Sequence, residues 1–365
     1  MNNHSGIILY DYFACAGGAE RLTLILANAL AHAELCVGYQ EKSAIFQKEL
    51  AGLTLHSIST QTHIPAWRVI KLMRAFKTKT RFISDYPWAL YSGTAAPLAV
   101  AHRKNGPNFL YCHTIPRFAY DLKDYYMDLI PAWQRPALNA LVSYVRPRYE
   151  AALAMMDGIV SNSKNTQSRL KKYIGADSTI VHPPCETETF KFMGQNGYYL
   201  STARLEAFKR VDIIVDAFKE MPEKKLVVTS GGSEYDGLKK KAGGAKNIIF
   251  TGWTDEEKLR EWMGKAIATI YIPMDEDFGM SPVESMAAGK PVIGSREGGL
   301  LETVKNGETG ILTKANPTKE DVIEAVGAMT PGRAMDMRQA CQQRAKKFRV
   351  NLFVEKMRGM LRLHR

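Results

Sequence analysis

Residues 275–291 of this chain read DEDFGMSPVESMAAGKP and carry the signals of an acidic turn followed by a short helix. The apolar run at residues 266–273 just before them predicts a buried strand. Gly289 and Pro291 are expected to end the helix, because neither residue continues a helix well. The order strand, turn and helix is the repeating unit of a parallel α/β sheet.

The start of this helix carries a capping pattern. Ser281 is expected to be the N-cap, Pro282 to occupy the first helical position, and Glu284 to complete a Ser-x-x-Glu capping box. A helix that begins at the carboxyl edge of a sheet offers free N–H groups and a partial positive charge to an anion. Glu276 and Glu284 would flank this anion site, although capping alone also explains Glu284.

Length and composition limit the possible classes of protein. The chain has 365 residues, 45% of them hydrophobic, which suits two domains of about 150 to 200 residues each. We expect a soluble, cytoplasmic protein, because no apolar run approaches the roughly 18 residues of a membrane span and the first residues lack signal-peptide features. The five cysteines have no paired spacing, which indicates reduced thiols rather than disulfides or structural zinc.

Strand-like and helix-like segments alternate along the whole chain and predict an α/β fold with two doubly wound, Rossmann-like domains. Strands are predicted at residues 6–12, 35–39, 53–58, 89–92, 109–112 and 158–161, and then at 198–201, 225–229, 247–250, 266–273, 291–295 and 310–313. Helices are predicted at 22–31, 44–50, 65–77, 95–102, 120–129 and 137–156, and then at 211–219, 256–263, 322–329 and 334–347. A proline-containing linker near 181–185 divides an N-terminal domain, 1–185, from a C-terminal domain, 186–349.

The net charge of +12 is compatible with anionic membranes or phosphorylated substrates. Residues 51–84 contain no acidic residue but carry a series of cations among apolar residues: Arg68, Lys71, Arg74, Lys77, Lys79 and Arg81. This composition is typical of a basic amphipathic helix on an anionic leaflet. An ordinary solvated helix face explains it as well.

Two further segments suggest phosphate binding. Gly17 and Gly18 lie between a predicted strand and helix, where backbone N–H groups could approach a phosphate, although a tight structural turn explains them equally well. Arg204 and Lys209 follow another strand. Lys209 is expected at a helix start, where a cation is unfavourable unless an anion binds, so the two could clamp a diphosphate or could be plain surface charges.

Two acid–base groups remain as candidates. His113 follows a predicted strand and could hydrogen-bond a substrate or donate a proton near neutral pH. Asp275 and Asp277 could bind a metal ion, but only Glu276 offers a further ligand nearby. We therefore predict a metal-free site in which helix dipoles and cations neutralise the phosphates.

Together these motifs resemble the family 4 retaining glycosyltransferases of the GT-B fold. In the second half the resemblance rests on Glu276-x7-Glu284 with FGMSP inside it, AGKPV at 288–292, Gly298-Gly299 with Glu302, RLE at 204–206 and KRVD at 209–212. In the first half it rests on GGAER at 17–21, Cys112-His113 before Pro116-Arg117, and SNS at 161–163.

The resemblance implies two Rossmann-like domains facing one cleft, with the nucleotide-sugar donor held by the C-terminal domain and the acceptor by the N-terminal one. It implies that a last helix at 350–365 packs back on the N-terminal domain. Arg204 and Lys209 would bind the diphosphate and stabilise the leaving group, Glu276 would hold the donor sugar, and His113 would lie beside that sugar. The remaining implied donor contacts are Glu284 at the ribose, Gly17 and Gly18 at the phosphates, Gly231 and Trp253 at the nucleobase, and Phe278, Gly279, Met280 and Ser281 at the sugar and phosphate.

Residues 112–120, CHTIPRFAY, are similar to bacterial mannosyltransferases that build O-antigen or capsule chains. This similarity implies GDP-mannose as donor, with UDP-sugars as the alternative, and a glycan or lipid-linked acceptor. No metal cofactor and no nucleic-acid partner are expected. Residues 68–81 would suit peripheral contact with the inner face of the cell membrane. A nucleotide-sugar-binding protein without turnover and, third, a dehydrogenase stay open as alternatives.

Overall fold

The structure, a computed structural model, describes residues 6–14, 17–30, 33–41 and 50–361. The chain divides into unit 1, which comprises Met1–His182 and Phe353–Arg365, and unit 2, which comprises Pro183–Leu352. Each unit contains one parallel sheet with helices around it. In this part of the chain no helix combines the length and the apolar character needed to cross a bilayer.

The sheet of unit 1 has seven strands, all paired in parallel. They are β1 (Ile7–Tyr10), β2 (Glu34–Val37), β3 (Leu55–Ser57), β4 (Ala89–Ser92), β5 (Asn108–Cys112), β6 (Gly158–Ser161) and β7 (Thr179–Ile180). The strand order is β3-β2-β1-β4-β5-β6-β7. The α-helices are α1 (Gly18–Ala29), α2 (Pro65–Lys79), α3 (Lys123–Leu129), α4 (Arg135–Leu153) and α5 (Lys164–Ile174), with 3-10 segments at Arg81–Asp85, Ala96–His102, Arg117–Ala119 and Ala132–Gln134.

Both faces of this sheet are buried, which explains why its central strands are continuously apolar. Along β1, Ile7 and Leu9 pack in one core, and Ile8 and Tyr10 pack in another. The first core includes side chains from α2, α4 and α5, and the second includes side chains from α1. The second core also contains three residues from the far end of the chain, namely Phe353, Met357 and Leu361.

Unit 2 has a six-stranded parallel sheet made of β8 (Tyr198–Ser201), β9 (Lys225–Val228), β10 (Ile248–Phe250), β11 (Thr269–Tyr271), β12 (Val292–Gly294) and β13 (Gly310–Leu312). The helices are α6 (Val211–Lys219), α7 (Tyr235–Ala242), α8 (Glu256–Lys265), α9 (Met280–Ala287), α10 (Leu300–Thr303), α11 (Lys319–Ala328), α12 (Pro331–Asp336) and α13 (Arg338–Ala345). The last helix, α14 (Val350–Met360), begins in unit 2 and continues in unit 1 from Phe353. The 3-10 segments are Ala207–Lys209 and Lys346–Phe348. The strand order β10-β9-β8-β11-β12-β13 reverses its direction between β8 and β11, and such a switch point is where open α/β sheets bind ligands.

The structure confirms the predicted α/β class with two Rossmann-like sheets. The strand predicted at 198–201 and the helix predicted at 211–219 have the observed bounds of β8 and α6. Strand β7 and helices α5 and α7 were not predicted, because they are short or contain few buried apolar residues. The predicted helix at 334–347 is instead divided into α12 and α13. The helix predicted at 44–50 falls almost entirely outside the described residues.

Strand packing in unit 2 leads to a stability prediction. A Cβ atom at Gly310 in β13 would lie 2.1 Å from the carbonyl oxygen of Val292 in β12. We expect Gly310→Ala to lower the free energy of unfolding by about 1 to 3 kcal/mol, because backbone must move to relieve this contact. Thermal unfolding followed by circular dichroism measures the change.

Gly327→Ala in α11 is the matched control, since a Cβ atom there meets no described heavy atom within 4 Å. Alanine favours a helix over glycine by about 1 kcal/mol, so this variant should melt at or above the wild-type temperature. Equal melting temperatures for the two variants would contradict the packing described for β12 and β13.

Candidate active site

The candidate site lies at the carboxyl edge of the unit 2 sheet. Strand β11 pairs in parallel with β8 on one side and with β12 on the other. Parallel strands end at the same edge, so the segments that follow Ser201, Tyr271 and Gly294 begin next to one another. The predicted site residues Arg204 and Glu276 lie on the first two of these segments.

Lys209, Glu276 and Tyr271 form a compact cluster at this edge. Lys209 Nζ lies 2.5 Å from Glu276 Oε2 and 3.4 Å from Tyr271 Oη, and the tyrosine hydroxyl donates to the same Glu276 oxygen at 3.0 Å. The side chains of Lys209 and Glu276 are 15% and 16% exposed. The structure therefore brings together two predicted site residues, and a single carboxylate oxygen accepts hydrogen bonds from both neighbours.

The protonation states in this cluster follow from burial and charge. Burial alone would lower the pKa of Lys209, but the charge of Glu276 and the hydrogen bonds that Lys209 donates to Glu276 and Tyr271 raise that pKa above its usual range. Burial, and then the charge of Glu276, raises the pKa of Tyr271. At neutral pH the lysine is therefore a cation and the tyrosine a neutral hydrogen-bond donor, so that both orient the carboxylate.

The start of α9 differs from the sequence prediction. Gly279, with φ of 86°, is the N-cap, the helix begins at Met280, and among the described residues no side chain caps it. The predicted Ser281 cap and its capping box with Glu284 are therefore wrong: glycine adopts the left-handed conformation readily, and the turn starts the helix earlier. The Ser281 hydroxyl instead forms a hydrogen bond with the hydroxyl of Thr202, which follows β8.

The turn that carries Glu276 is held by a glycine pair. The N–H of Gly299 donates to the carbonyl oxygen of Glu276 at 2.7 Å, and a Cβ atom at Gly298, with φ of 58°, would lie 2.4 Å from that oxygen. Phe278 is only 3% exposed, and its ring packs 5.5 Å from the ring of Phe348. The side chain of Phe278 thus belongs to the core, and only its backbone remains as a predicted donor contact.

Gly231 and Trp253, predicted to border a nucleobase, are in contact. A Cβ atom at Gly231 would lie 2.3 Å from the indole nitrogen of Trp253, so only glycine permits this close approach. Trp253 is 70% exposed and presents its indole to solvent. Arg204 is exposed in the segment between β8 and α6.

The predicted residues of unit 1 are His113, Gly17 and Gly18. The carbonyl oxygen of His113 accepts a hydrogen bond from the Asn162 amide at 2.7 Å, and its ring packs 4.9 Å from that of Tyr111. Within the described part of the chain its buried Nε2 atom has no hydrogen-bond partner. Burial lowers the pKa of His113 to about 4, so at neutral pH this side chain is a neutral hydrogen-bonding group and not an acid.

The glycines of unit 1 form a helix start. Helix α1 begins at Gly18, with Gly17 as an extended N-cap of φ −86°. Gly17 therefore does not need the left-handed conformation that only glycine adopts easily. No side-chain cap hydrogen bond is present among the described residues, and the first N–H groups of α1 are the feature that suits an anion.

Two site residues, Tyr271 and Thr202, are not marked by any motif in the sequence. Tyr271 binds both Lys209 and Glu276, and Thr202 binds Ser281. Both lie where strands end, at Tyr271 of β11 and just after Ser201 of β8, so the strand-end rule could have identified them. Across residues 6–14, 17–30, 33–41 and 50–361, no group of three or more His, Cys, Asp or Glu side chains is arranged to hold a metal ion.

Comparison with known proteins finds a family model that resembles unit 2. Residues 187–348 match the family model of glycosyl transferases group 1. The alpha-1,3/1,6-mannosyltransferase ALG2 of Dictyostelium discoideum is 34% identical over 154 residues, which are 35% of this chain and 36% of that protein. D-inositol 3-phosphate glycosyltransferase 2 of Catenulispora acidiphila is 23% identical over 224 residues, 53% of this chain and 52% of that protein. The chain thus spans about half the length, or less, of these curated relatives.

A likeness to solved structures extends over the whole chain. The Anabaena protein HepE, solved with UDP and glucose, matches with a TM-score of 0.75 and 15% identity, and the match covers 99% of this chain and 100% of that one. These findings confirm the glycosyl transferase resemblance for unit 2 and the GT-B fold for the chain. The predicted mannosyl donor and the predicted O-antigen or capsule acceptor stay predictions.

The low pKa of His113 leads to a prediction about pH and stability. Its pKa is about 4 in the folded chain and about 6.5 in an unfolded one. The unfolded state therefore binds a proton first as the pH falls, so the stability contributed above pH 6.5 is lost progressively towards pH 4. We expect His113→Gln to lose less stability than the wild type between pH 7 and pH 4.5, as measured by urea denaturation.

His63→Gln is the control, because His63 is exposed in the segment before α2. This variant should follow the wild-type dependence on pH. The same loss of stability in the wild type and in His113→Gln would refute the buried, neutral state of His113.

Proposed function

We propose that this chain is a retaining glycosyltransferase that moves a hexose, mannose from GDP-mannose, onto a lipid-linked or oligosaccharide acceptor of a cell-surface polysaccharide. The observation that carries the proposal is the cluster of Lys209, Glu276 and Tyr271 at the switch point of a glycosyl transferases group 1 domain. The partial likeness to ALG2, a mannosyltransferase by name, supports the choice of sugar.

The site has the groups that a sugar diphosphate requires. The start of α9 offers the N–H groups of Met280 and Ser281 to an anion, since no side chain of the described residues caps it. Lys209, cationic at neutral pH, and the exposed Arg204 add positive charge. Negative charge grows on the leaving diphosphate as the bond to the sugar breaks, so preorganised N–H groups and cations stabilise the transition state more than the ground state.

Retention of configuration is proposed to follow a front-side route. The bond between the anomeric carbon and the diphosphate breaks while the acceptor oxygen bonds to the same face of the sugar. The acceptor proton passes to a donor phosphate oxygen, so the route needs no general base from the protein. Glu276, oriented by Lys209 and Tyr271, would accept hydrogen bonds from sugar hydroxyls. His113, neutral at this pH, is proposed to act as a hydrogen-bonding group and not as an acid.

The reaction is proposed to need no divalent metal. In this proposal Arg204, Lys209 and the N–H groups of α9 meet the charge of the diphosphate. Glu284, which lies inside α9 and not at its cap, is proposed to bind the ribose. Gly231 and the exposed indole of Trp253 are proposed to border the base.

Two alternatives differ from this proposal in the donor or in turnover. HepE was solved with UDP and glucose, which favours a UDP-sugar as the second candidate donor. A non-catalytic nucleotide-sugar-binding protein would need the same edge of unit 2 but not the orientation of Glu276. Donor turnover separates this alternative from a transferase.

Removing the lysine or the carboxylate of the cluster tests the proposal. We expect Lys209→Met and Glu276→Gln each to lower GDP release from GDP-mannose about 100-fold or more, because each removes a preorganised charge from the site. Coupled detection of the released nucleotide, with and without EDTA, measures the rate. Removing one partner of a buried ion pair can also destabilise the fold by about 3 to 5 kcal/mol, so each variant must be checked by thermal unfolding.

The control is Lys265→Met, which removes a lysine from a 2.6 Å ion pair with Glu261 on α8 and should leave the rate unchanged. A panel of GDP- and UDP-sugars in a thermal-shift assay identifies the donor, since a ligand at 100 times its Kd stabilises by about 2.7 kcal/mol. If the panel gave no shift and no turnover, the transferase proposal would fail. Binding without turnover would favour the non-catalytic alternative.

Peripheral contact with an anionic membrane is proposed through the basic segment at 68–81. Arg74, Lys77 and Arg81 are exposed in and just after α2. At the start of the helix Ile64 and Trp67 are 64% and 48% exposed, which adds apolar side chains suited to a lipid interface. The segment is not uniformly exposed, because Arg68 lies over the ring of Tyr12 at 5.3 Å and is directed into unit 1.

Charge reversal on this surface tests the membrane proposal. We expect wild-type protein to bind phosphatidylcholine vesicles that contain about one third phosphatidylglycerol, and to be released by added salt. A triple variant with Arg74→Glu, Lys77→Glu and Arg81→Glu should bind roughly 100-fold more weakly, at about 1 kcal/mol for each lost cation. Vesicle sedimentation measures the bound fraction.

Lys239→Glu with Lys240→Glu, at two exposed positions of α7, is the control for a change in net charge alone. This double variant should bind the vesicles nearly as well as the wild type. Wild-type protein that ignores the vesicles at low salt would show that residues 68–81 form an ordinary solvated surface.

A further inference from the structure

Three residues other than glycine adopt positive φ in the part of the chain that the structure describes. They are Arg210 at 54°, Asp275 at 44° and Asn316 at 52°. This conformation is strained for L-amino acids with a side chain, and it persists where the surroundings hold it. The three residues lie on three different loops of unit 2, which follow β8, β11 and β13.

One carboxylate, that of Glu297, binds all three of these residues. Its Oε1 atom lies 2.5 Å from the Arg210 guanidinium and accepts the backbone N–H of Asn316 at 3.1 Å. Its Oε2 atom accepts the backbone N–H of Asp275 at 3.2 Å. The side chains of Glu297 and Arg210 are 17% and 10% exposed, so the charge-assisted hydrogen bond between them lies largely out of water, where it is strong.

Two of the three residues that Glu297 binds are sequence neighbours of Lys209 and Glu276 in the cluster. Arg210 follows Lys209 in sequence, and Asp275 precedes Glu276. The same two loops are also joined by a backbone hydrogen bond from Met274 N to Phe208 O at 2.8 Å. The positions from which Lys209 and Glu276 reach each other are therefore set by neighbouring residues that Glu297 binds, Arg210 through its guanidinium and Asp275 through its backbone N–H.

We propose that Glu297 is a positioning residue that binds the strained residues Asp275, through its backbone N–H, and Arg210, through its guanidinium, and so presets Glu276 and Lys209 for the donor. This inference rests on the proposed function for its catalytic consequence, but the structural part does not. Glu297 acts through the loops, because its contacts here are to Arg210, Asp275 and Asn316 and its role does not require it to touch the donor.

The structural part is tested on the protein without any donor. Glu297→Gln keeps the size of the side chain but removes its charge and one acceptor oxygen. We expect hydrogen–deuterium exchange to become at least about tenfold faster in peptides that cover residues 273–277 and 314–318. Glu308→Gln, which removes an exposed carboxylate paired with Lys305 at 3.0 Å, should leave the exchange of these peptides unchanged. Unchanged exchange in Glu297→Gln would overturn the proposal.

The catalytic part is tested by rescue with glycine. We expect Glu297→Gln to lower kcat for GDP release from GDP-mannose about 10- to 100-fold, because a displaced reactive group loses its alignment. The double variant with Glu297→Gln and Asp275→Gly should have most of the kcat of the Asp275→Gly single variant. Glycine at position 275 adopts a φ of 44° without a hydrogen bond to the Glu297 carboxylate. Adding Asn316→Gly should restore stability but not kcat, because its loop carries no residue of the cluster.

The outcomes separate this inference from the proposed function. Equal rescue by both glycine substitutions, or rescue by neither, would show that Glu297 only stabilises unit 2 and would overturn the positioning role. If the wild type released no nucleotide from GDP- or UDP-sugars while the exchange result held, the proposed function would fail. The structural role of Glu297 in stabilising the two loops would still be supported by the exchange result.

Discussion

The candidate site depends on how closely two loops of unit 2 approach each other. The loop after β12 passes so near the acidic turn after β11 that a Cβ atom at Gly298 or Gly299 would lie within 2.4 Å of the backbone at Glu276 or Phe278. Two glycines in succession permit this contact, and the hydrogen bond from Gly299 to Glu276 then fixes it. This contact places the backbone of Glu276, and the lysine and tyrosine donors can then orient its carboxylate.

Much of the fold could be predicted because local sequence patterns determine its strands and helices. In parallel sheets with both faces covered, strands are continuous apolar runs, and β8 has the predicted bounds for this reason. Helix α6 has the predicted bounds because its buried residues, among them Val211, Ile214 and Phe218, recur at helical spacing. The positions of Lys209 and Glu276 at one edge of the sheet could also be predicted, because the carboxyl ends of parallel strands share an edge. The element bounds and the location of these two side chains therefore followed from the periodicity of the sequence alone.

The details of the site could not be predicted, because tertiary contacts decide between local alternatives. Ser281 and Glu284 have the spacing of a capping box, but the left-handed turn at Gly279 and the hydroxyl of Thr202 give Ser281 another partner. Tyr271 reads as one more apolar residue of a buried strand, and its hydroxyl becomes informative only when Lys209 is placed beside it. A sequence pattern gives the position of a side chain along an element, whereas the site depends on which element lies next to it.

The closing segment of the chain has a consequence for biosynthesis. Phe353, Met357 and Leu361 pack in the same core as Ile8 and Tyr10 of β1. Domains commonly fold as they leave the ribosome, beginning with the N-terminal one. Here the first unit to be translated lacks part of its core until residue 361 has emerged, whereas the residues of unit 2, all translated earlier, can already pack together. The order of folding is thus expected to be the reverse of the order of synthesis.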